Sequence, residues 1–468
     1  MYRRLYVLLV VCACLFQPGL YAAPLDRPAV MAPLVVEDWD GFNRQLQEAK
    51  AIGVTTVSTD VWWGKVEGEA DQNFDWSYYD RVSDSIIAAD LKWVPIFSFH
   101  RCGGNVGDSC DIPIPHWIWK MLGGDKSYRL MYLSEKGKYC REVVALWSDD
   151  QVRKQYIEFI QDFSQHFADK VATIEEINIS AGPSGELRYP SYNQHDDFHY
   201  PERGYLQAYS DLAKADFARF VQQKYTSLDD LNRAWNTSLK RWDDIRPPED
   251  APGFFYRKDY LNIQYGKDFT QWYNQALLDH GAFMINLAVE ALGERFQGTP
   301  LGIKIPGVHW LMGSPDLPRA AEVTTGLIPT HIDLGSDNTA HGYAPIIERI
   351  KQLSNPEHKV VLHFTCLEMD NKNQAPDYSL AKDLVFWVGN GAGTRDLVIM
   401  GENALSGGIT NDFGWNNIDN AVRWSAYRGL TTLRLGNLEE NGGLGFRRYE
   451  QLINDFKPIR EGIVWTNH

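Results

Sequence analysis

Two glutamates, each set directly behind a glycine at the end of an apolar run, are the residues of this chain best placed to do chemistry. Glu186 lies in Gly182-Pro183-Ser184-Gly185-Glu186-Leu187-Arg188-Tyr189-Pro190-Ser191-Tyr192, with a cation and two tyrosines following within six residues. Glu402 lies in Val398-Ile399-Met400-Gly401-Glu402-Asn403-Ala404-Leu405, the same order of apolar run, glycine and glutamate. Carboxyls at such positions can give and take protons. For Glu186 alone a structural salt bridge to Arg188 is the competing reading, and the matching glutamate weighs against it. The run from Ala172-Thr173-Ile174 through Ile177-Asn178-Ile179 reads as a buried strand. Glu186 therefore falls just past a strand's C-terminal end, where barrel and open-sheet enzymes keep their chemistry.

The elements that would position these groups repeat along the chain. Eight β-type runs are visible: Ala29 to Leu34, Val54 to Asp60, Lys92 to Phe99, Thr173 to Ser180, Leu301 to Pro306, Lys359 to Cys366, Leu397 to Gly401 and Thr431 to Leu435. Where clearest they are nearly continuously apolar, as strands buried on both faces must be. Helical patterns separate them, among them Trp39 to Ala51, Gln151 to Phe167, Asp268 to Ala291 and Asn417 to Arg428. Strands alternating with helices predict a (β/α)8 TIM barrel. The connections after strands 3 and 4 are far longer than a helix needs, running from Phe99 to about Val171 and from Ala181 to Thr299. The second holds helical stretches of its own, Leu206 to Lys224 and Ser227 to Trp235. Long insertions at the mouth of a barrel build clefts and lids. The organisation expected is an export signal at 1–23 and one catalytic domain at 24–468.

The 468 residues are 44% hydrophobic and 23% charged, an ordinary globular balance, and the net charge of −15 argues against nucleic acid and anionic membrane as partners. A neutral ligand suits it better. Sixteen Trp and 23 Tyr could stack on sugar rings, although most Trp in any protein serve packing. Arg3 and Arg4 followed by the apolar stretch Leu5 to Phe16 resemble an export signal, too short to span a bilayer. A secreted or periplasmic location follows, with lipoprotein anchoring at Cys12 as the minor alternative. Of the remaining cysteines, Cys102 and Cys110 bracket one short loop that a disulfide could close, and Cys366 reads as a free thiol in the site wall. No Cys-x-x-Cys pair and no His-Glu-x-x-His occurs, so spacing offers no zinc centre.

Polar residues gather at the predicted strand ends: Asp60, His100, Glu186, Lys304, His309, Thr365, Glu368, Glu402, Asn403 and Arg434. With the segments Cys-Gly-Gly-Asn-Val-Gly-Asp, Gly-Glu-Leu-Arg-Tyr-Pro-Ser-Tyr, Thr-Cys-Leu-Glu-Met and Gly-Glu-Asn-Ala-Leu, the chain resembles the β-amylases, inverting hydrolases that cut maltose from non-reducing ends of starch. The resemblance runs from about Met31 to Ile463 and is to bacterial members without a C-terminal starch-binding domain. It implies Glu186 as general acid and Glu402 as general base, with the acid holding its proton longer than the base. The two carboxyls should stand roughly 6.5–9.5 Å apart to admit a water. It further implies a mobile lid at Gly103–Asp108 that brings Asp108 onto the sugar, and Thr365 as an inner-loop residue that holds product and steadies the base. Asp60, His100, Lys304, His309, Asn403, Ala404 and Arg434 match sugar-binding positions. Glu368 is the carboxylate most easily mistaken for the base.

No cofactor is expected. Bacterial members hold calcium beside the second βα loop, which points here to Glu67, Asp71, Gln72, Gln155 and Glu158, with solvated surface charge as the alternative. Gln155 stands where those enzymes carry a glutamate. The partner expected is an α-1,4-glucan, acted on by a monomer. Two other functions fit the same barrel: a catalytically silent glucan-binding protein, and a retaining hydrolase or transglycosylase.

Overall fold

A computed structural model describes residues 25–103, 108–314 and 316–456. The expected export segment 1–23 with Cys12, and the glycine-rich lid tip at 104–107, lie outside the described residues. Eight strands close a parallel barrel in chain order: β1 Arg27–Met31, β2 Thr56–Trp62, β3 Lys92–Ser98, β4 Ile177–Ile179, β5 Leu301–Ile305, β6 Val360–Phe364, β7 Ile399–Glu402 and β8 Tyr427–Thr432. β1 pairs with β8 to seal it, Arg27 opposite Gly429. The β2–β3 ladder is the longest, from Thr56 opposite Lys92 to Trp62 opposite Ser98. Every residue of β2, β6 and β7 is buried, because the barrel interior lies on one side and helices lie on the other.

Outer helices start where a polar side chain can take the first free amide. Asp38 accepts from the Gly41 amide at 2.9 Å to open helix Trp39–Ala51, and Asn411 accepts from the Gly414 amide at 3.0 Å to open helix Asp412–Trp424. Helix Asp149–His166 covers β3 with aromatic rings: Phe97 meets Phe163 edge-on at 4.8 Å, and Phe99 meets Tyr156 at 4.6 Å. That packing fixes the strand end carrying His100. Trp63, Trp93, Trp272 and Trp415 are fully buried, so these indoles serve packing rather than sugar stacking. At the base of the barrel Glu176 sits between the Arg27 guanidinium at 2.6 Å and His363 Nε2 at 2.5 Å. Burial works to raise Glu176, but His363 and Arg27 outweigh it and hold the carboxyl below its ordinary range.

Both long excursions are present. The one after β3 carries a two-stranded hairpin, Tyr132–Leu133 with Tyr139–Cys140, and returns through helix Asp149–His166. The one after β4 carries helices Asp211–Lys224, Leu228–Trp235 and Gln264–Leu292. Several expected boundaries shift. The fourth strand is shorter than expected, because residues 168–173 coil into a 3-10 turn closed by Thr173 Oγ1 donating to the Lys170 carbonyl at 2.6 Å. The eighth strand runs Tyr427–Thr432 instead of Thr431 to Leu435, because its polar Arg428 faces outward onto Asp26 at 2.7 Å and masks the apolar pattern. The preceding helix accordingly ends at Trp424. β1 begins at Arg27, drawn inward by Glu176.

Candidate active site

The turn before Glu186 can form only with glycine at two places. Gly185 has φ +76°, and a side chain on Gly182 would collide with the Arg188 carbonyl. This turn swings the chain across the end of β5. Glu186 bridges Lys304 in parallel register, and the Leu187 amide donates to the Lys304 carbonyl at 2.7 Å. Lys304 then sends its ammonium over the mouth to Glu402 Oε1, 2.6 Å away. One residue thus ties the two glutamates into one arrangement, backbone to the first and side chain to the second.

Each glutamate has one oxygen engaged. Arg188 Nε donates to Glu186 Oε2 at 2.8 Å. The guanidinium is itself fully buried, donating to the Tyr189 carbonyl and to Asn193 Oδ1 at 2.8 Å and lying 4.1 Å over the Tyr192 ring. The salt bridge considered as an alternative function for Glu186 therefore exists, and it orients the carboxyl without consuming its other oxygen. Among the described residues no hydrogen bond reaches Glu186 Oε1 or Glu402 Oε2. The side chains are 13% and 4% exposed, so both groups border the mouth without being open to bulk water.

Glu368 is built differently. Both of its oxygens accept from the Ala404 amide, at 3.0 and 3.1 Å, and Oε1 also accepts from the Leu405 amide at 2.8 Å. Burial raises this carboxyl to about 7, with the two backbone donors pulling the other way. Its position is taken up by holding the loop that follows Glu402. Asn403 is similarly committed: its Nδ2 donates to the Leu405 and Leu433 carbonyls, and its Oδ1 accepts from the Leu433 amide at 2.7 Å. It staples the loops after β7 and β8.

The remaining residues expected to meet sugar line the same rim. Asp60 accepts from Ser98 Oγ at 3.1 Å and from Arg434 Nη1 at 3.3 Å. His100 pairs with Ser180 Oγ at 2.9 Å and stands edge-on to Trp62. Burial holds its imidazole down at about 4, against the pull of Asp60 and Asp108, so it is neutral near pH 7. His309 pairs with Ser379 Oγ at 2.8 Å and is likewise held at about 4, by burial and by Arg203. Thr365 Oγ1 accepts from the Gly307 amide at 2.9 Å, which ties the loops after β5 and β6 together. Asp108 accepts from the Gly103 amide at 2.9 Å across the base of the lid segment. The Cys102 and Cys110 Cα atoms are 5.7 Å apart with their sulfurs at bonding distance, while Cys140 and Cys366 are buried free thiols. Sequence reasoning passed over Asn193, Ser98 and Ser180, short polar side chains that carry no motif and act by orienting a neighbour.

Beside the second βα loop, Glu67 accepts from Trp63 Nε1 at 2.8 Å and from the Gln72 amide at 2.7 Å. Burial raises this carboxyl to about 7. Gln72 Nε2 reaches Glu158 Oε1 at 3.2 Å, and the buried Gln155 Oε1 and Glu158 Oε2 have no hydrogen-bond partner. Asp71 is exposed at the loop tip.

The description "Glycosyl hydrolase family 14" matches residues 29–462. A beta-amylase of Cytobacillus firmus is 39% identical over 444 residues, covering 93% of this chain and 88% of its own length. One from Niallia circulans is 39% identical over 442 residues, covering 93% of this chain and 72% of its own. The crystal structure of the catalytic domain of beta-amylase from Paenibacillus polymyxa superposes with a TM-score of 0.82 at 38% identity, covering 93% of this chain and all of that one. With a match spanning the barrel and every strand end described above, the chain belongs to glycosyl hydrolase family 14.

Proposed function

We propose that the protein is an exo-acting inverting glycoside hydrolase that releases β-maltose from the non-reducing ends of α-1,4-glucans, with Glu186 as general acid and Glu402 as general base. The observation that carries this reading is that Lys304 links the two glutamates at one end of the barrel, its backbone bridging Glu186 and its ammonium reaching Glu402. An inverting pair must stand far enough apart to admit a water between base and sugar.

The hydrogen bonds support one assignment of the reacting atoms. Arg188 occupies Glu186 Oε2, so the proton for the departing glycosidic oxygen sits on Oε1. Lys304 occupies Glu402 Oε1 and balances its charge, which leaves Oε2 to take a proton from water. Water adds to the anomeric carbon from the face opposite the leaving oxygen, the C1–O bond breaks, and the α linkage yields a β anomer. Neutral His100 and His309, with Asp60 and Arg434, present the directional donors and acceptors that sugar hydroxyls need. The Cys102–Cys110 pair forms a disulfide that pins the lid's base and leaves Asp108 to close onto substrate, in keeping with an exported chain.

The same reading includes a structural calcium ion at Glu67, Asp71, Gln72, Gln155 and Glu158. The orphaned oxygens of Gln155 and Glu158 fit an oxygen-seeking cation, which would clamp the second βα loop to helix Asp149–His166. The test of the function is to digest maltoheptaose and follow the products by proton NMR. β-Maltose as the first product is expected; an α-anomeric first product, or glucose alone, refutes the assignment.

A further inference from the structure

The hairpin after β3 and the turn after β4 bring together three side chains of metal-ligand type, distinct from the glutamate pair at the mouth. Cys140, opposite Tyr132 in the hairpin, is buried, and Glu142 follows it by two residues, also buried. His195 comes from the turn Gln194–Asp196. The sulfur, a carboxylate oxygen and an imidazole nitrogen all lie within 4.8 Å of one another. The His195 side chain is only 8% exposed, and its buried Nδ1 has no hydrogen-bond partner.

The surroundings of His195 are those of a held ligand. Its Nε2 faces Gln207 Oε1 and Asp196 Oδ2, each at 3.1 Å. Asp196 is fixed in turn by Ser134 Oγ at 2.5 Å and Gln207 Nε2 at 2.7 Å. A carboxylate behind a histidine orients the ring and leaves its other nitrogen for a metal. A thiolate, an imidazole and one carboxylate select zinc or cobalt(II) over calcium or magnesium, which want oxygen alone.

We propose that Cys140, Glu142 and His195 form a binding site for a divalent transition-metal ion of the zinc type, and that its occupation slows turnover through Glu186. The connection is a chain of hydrogen bonds. Glu142 Oε2 accepts from Asn193 Nδ2 at 2.5 Å, Asn193 Oδ1 accepts from Arg188 at 2.8 Å, and Arg188 holds Glu186 at 2.8 Å. An ion that draws Glu142 toward Cys140 and His195 takes the acceptor from Asn193 and loosens one of the contacts holding the guanidinium that orients the acid. Glu142 also accepts the Arg101 amide through its carbonyl at 2.8 Å, next to the lid's base. The spacing of the three ligands in sequence matches no zinc motif, which is why the sequence offered none.

The site stands on its own residues; only the effect on turnover rests on Glu186 acting as the acid, and two readouts separate them. Cobalt(II) is titrated into the full-length protein with calcium present, and the near-ultraviolet thiolate-to-cobalt absorption is followed. One equivalent should develop the band, zinc should remove it, Cys140→Ser should abolish it, and His195→Gln should weaken binding at least about tenfold. Cys366→Ser should leave it intact. No band in the wild type, a band surviving Cys140→Ser, or one lost with Cys366→Ser overturns the site. Zinc should lower turnover several-fold in the wild type and not in Cys140→Ser, with a zinc-selective chelator restoring it. Full turnover at one bound equivalent overturns the coupling.

Discussion

Replacing Glu368 with Gln separates a carboxyl that holds the active-site loop from one that does the chemistry. In the folded protein burial raises Glu368 from its ordinary 4.5 to about 7. A shift of that size is about 3 kcal/mol of differential stability between the two protonation states. Because the folded value lies above the unfolded one, the native state binds the proton more tightly. The contribution is stabilising and complete below about pH 4.5, and it is lost as pH rises through about 7. Above that, the protein bears the cost of a buried charge, offset by the Ala404 and Leu405 amides. Glutamine carries no charge at any pH and its oxygen can still accept at one position, but its amide nitrogen cannot replace the second oxygen as acceptor for the Ala404 amide, a constant loss of about 1–3 kcal/mol. The stability of Glu368→Gln relative to wild type should therefore improve by about 3 kcal/mol between pH 4.5 and 8, whichever protein is the more stable at either end. Urea unfolding of both proteins at pH 4.5, 6, 7 and 8 measures this, and taking the difference cancels other titrating groups such as Glu67. A pH-independent difference refutes the buried-charge reasoning. Turnover should fall far less than in Glu402→Gln, and an equal loss would make Glu368 the base.

Glu186→Gln and Glu402→Gln should each lose about 10²–10⁴-fold or more in kcat while calorimetry still detects maltose binding; undiminished kcat in either variant removes its assigned role. Lys304→Met leaves the 4%-exposed Glu402 carboxyl without its cation, and breaking such a pair costs about 3–5 kcal/mol, so melting temperature and kcat should fall together. Asp108→Asn should slow hydrolysis with no change in melting temperature, and a large drop in melting temperature would make Asp108 a structural residue. Calcium at a hundredfold excess over its Kd should stabilise the fold by about 2.7 kcal/mol, read as a rise in melting temperature that Glu158→Gln reduces and kcat does not follow.

The barrel was legible because parallel strands buried on both faces leave apolar runs, and because the glycine before each glutamate marks a strand end. The misplaced elements are those in which tertiary contacts override that pattern. Arg428 and Gly429 dilute the apolar signal of β8, yet the ladder to β1 holds them in a strand. Thr173 looks like strand and is spent closing a turn. Asn403 and Thr365 show the limit at the site itself. Their types suit sugar contact, but in this structure their side chains hold neighbouring backbone, and only coordinates reveal how a short polar group has been used. The trio Cys140, Glu142 and His195 was invisible for a related reason, since a hairpin and a distant turn, not a spacing, bring it together.

Burial alone does not mark a catalytic carboxyl in this barrel; the state of its oxygens does. Glu176, Glu186, Glu368 and Glu402 all stand at a strand end or in a segment next to one, and three of the four are almost fully buried. Glu176 has an ion-pair partner at each oxygen, from Arg27 and His363, and no room to exchange a proton with anything that enters. Glu368 has both oxygens on backbone amides. Glu186 and Glu402 are each gripped by one cation through one oxygen, which orients the group, and among the described residues the second oxygen takes no hydrogen bond. A proton donor and a proton acceptor need that arrangement: rigid enough to aim, with one lone pair or proton still to give. Arg188→Ala should therefore disorder the aim of Glu186 without removing it, lowering kcat more than it raises KM. Arg188→Lys should recover only part, since an ammonium cannot hold Glu186 and Asn193 together in one plane. If Arg188→Lys restored full turnover, charge alone would suffice and the geometric account of the acid would fail.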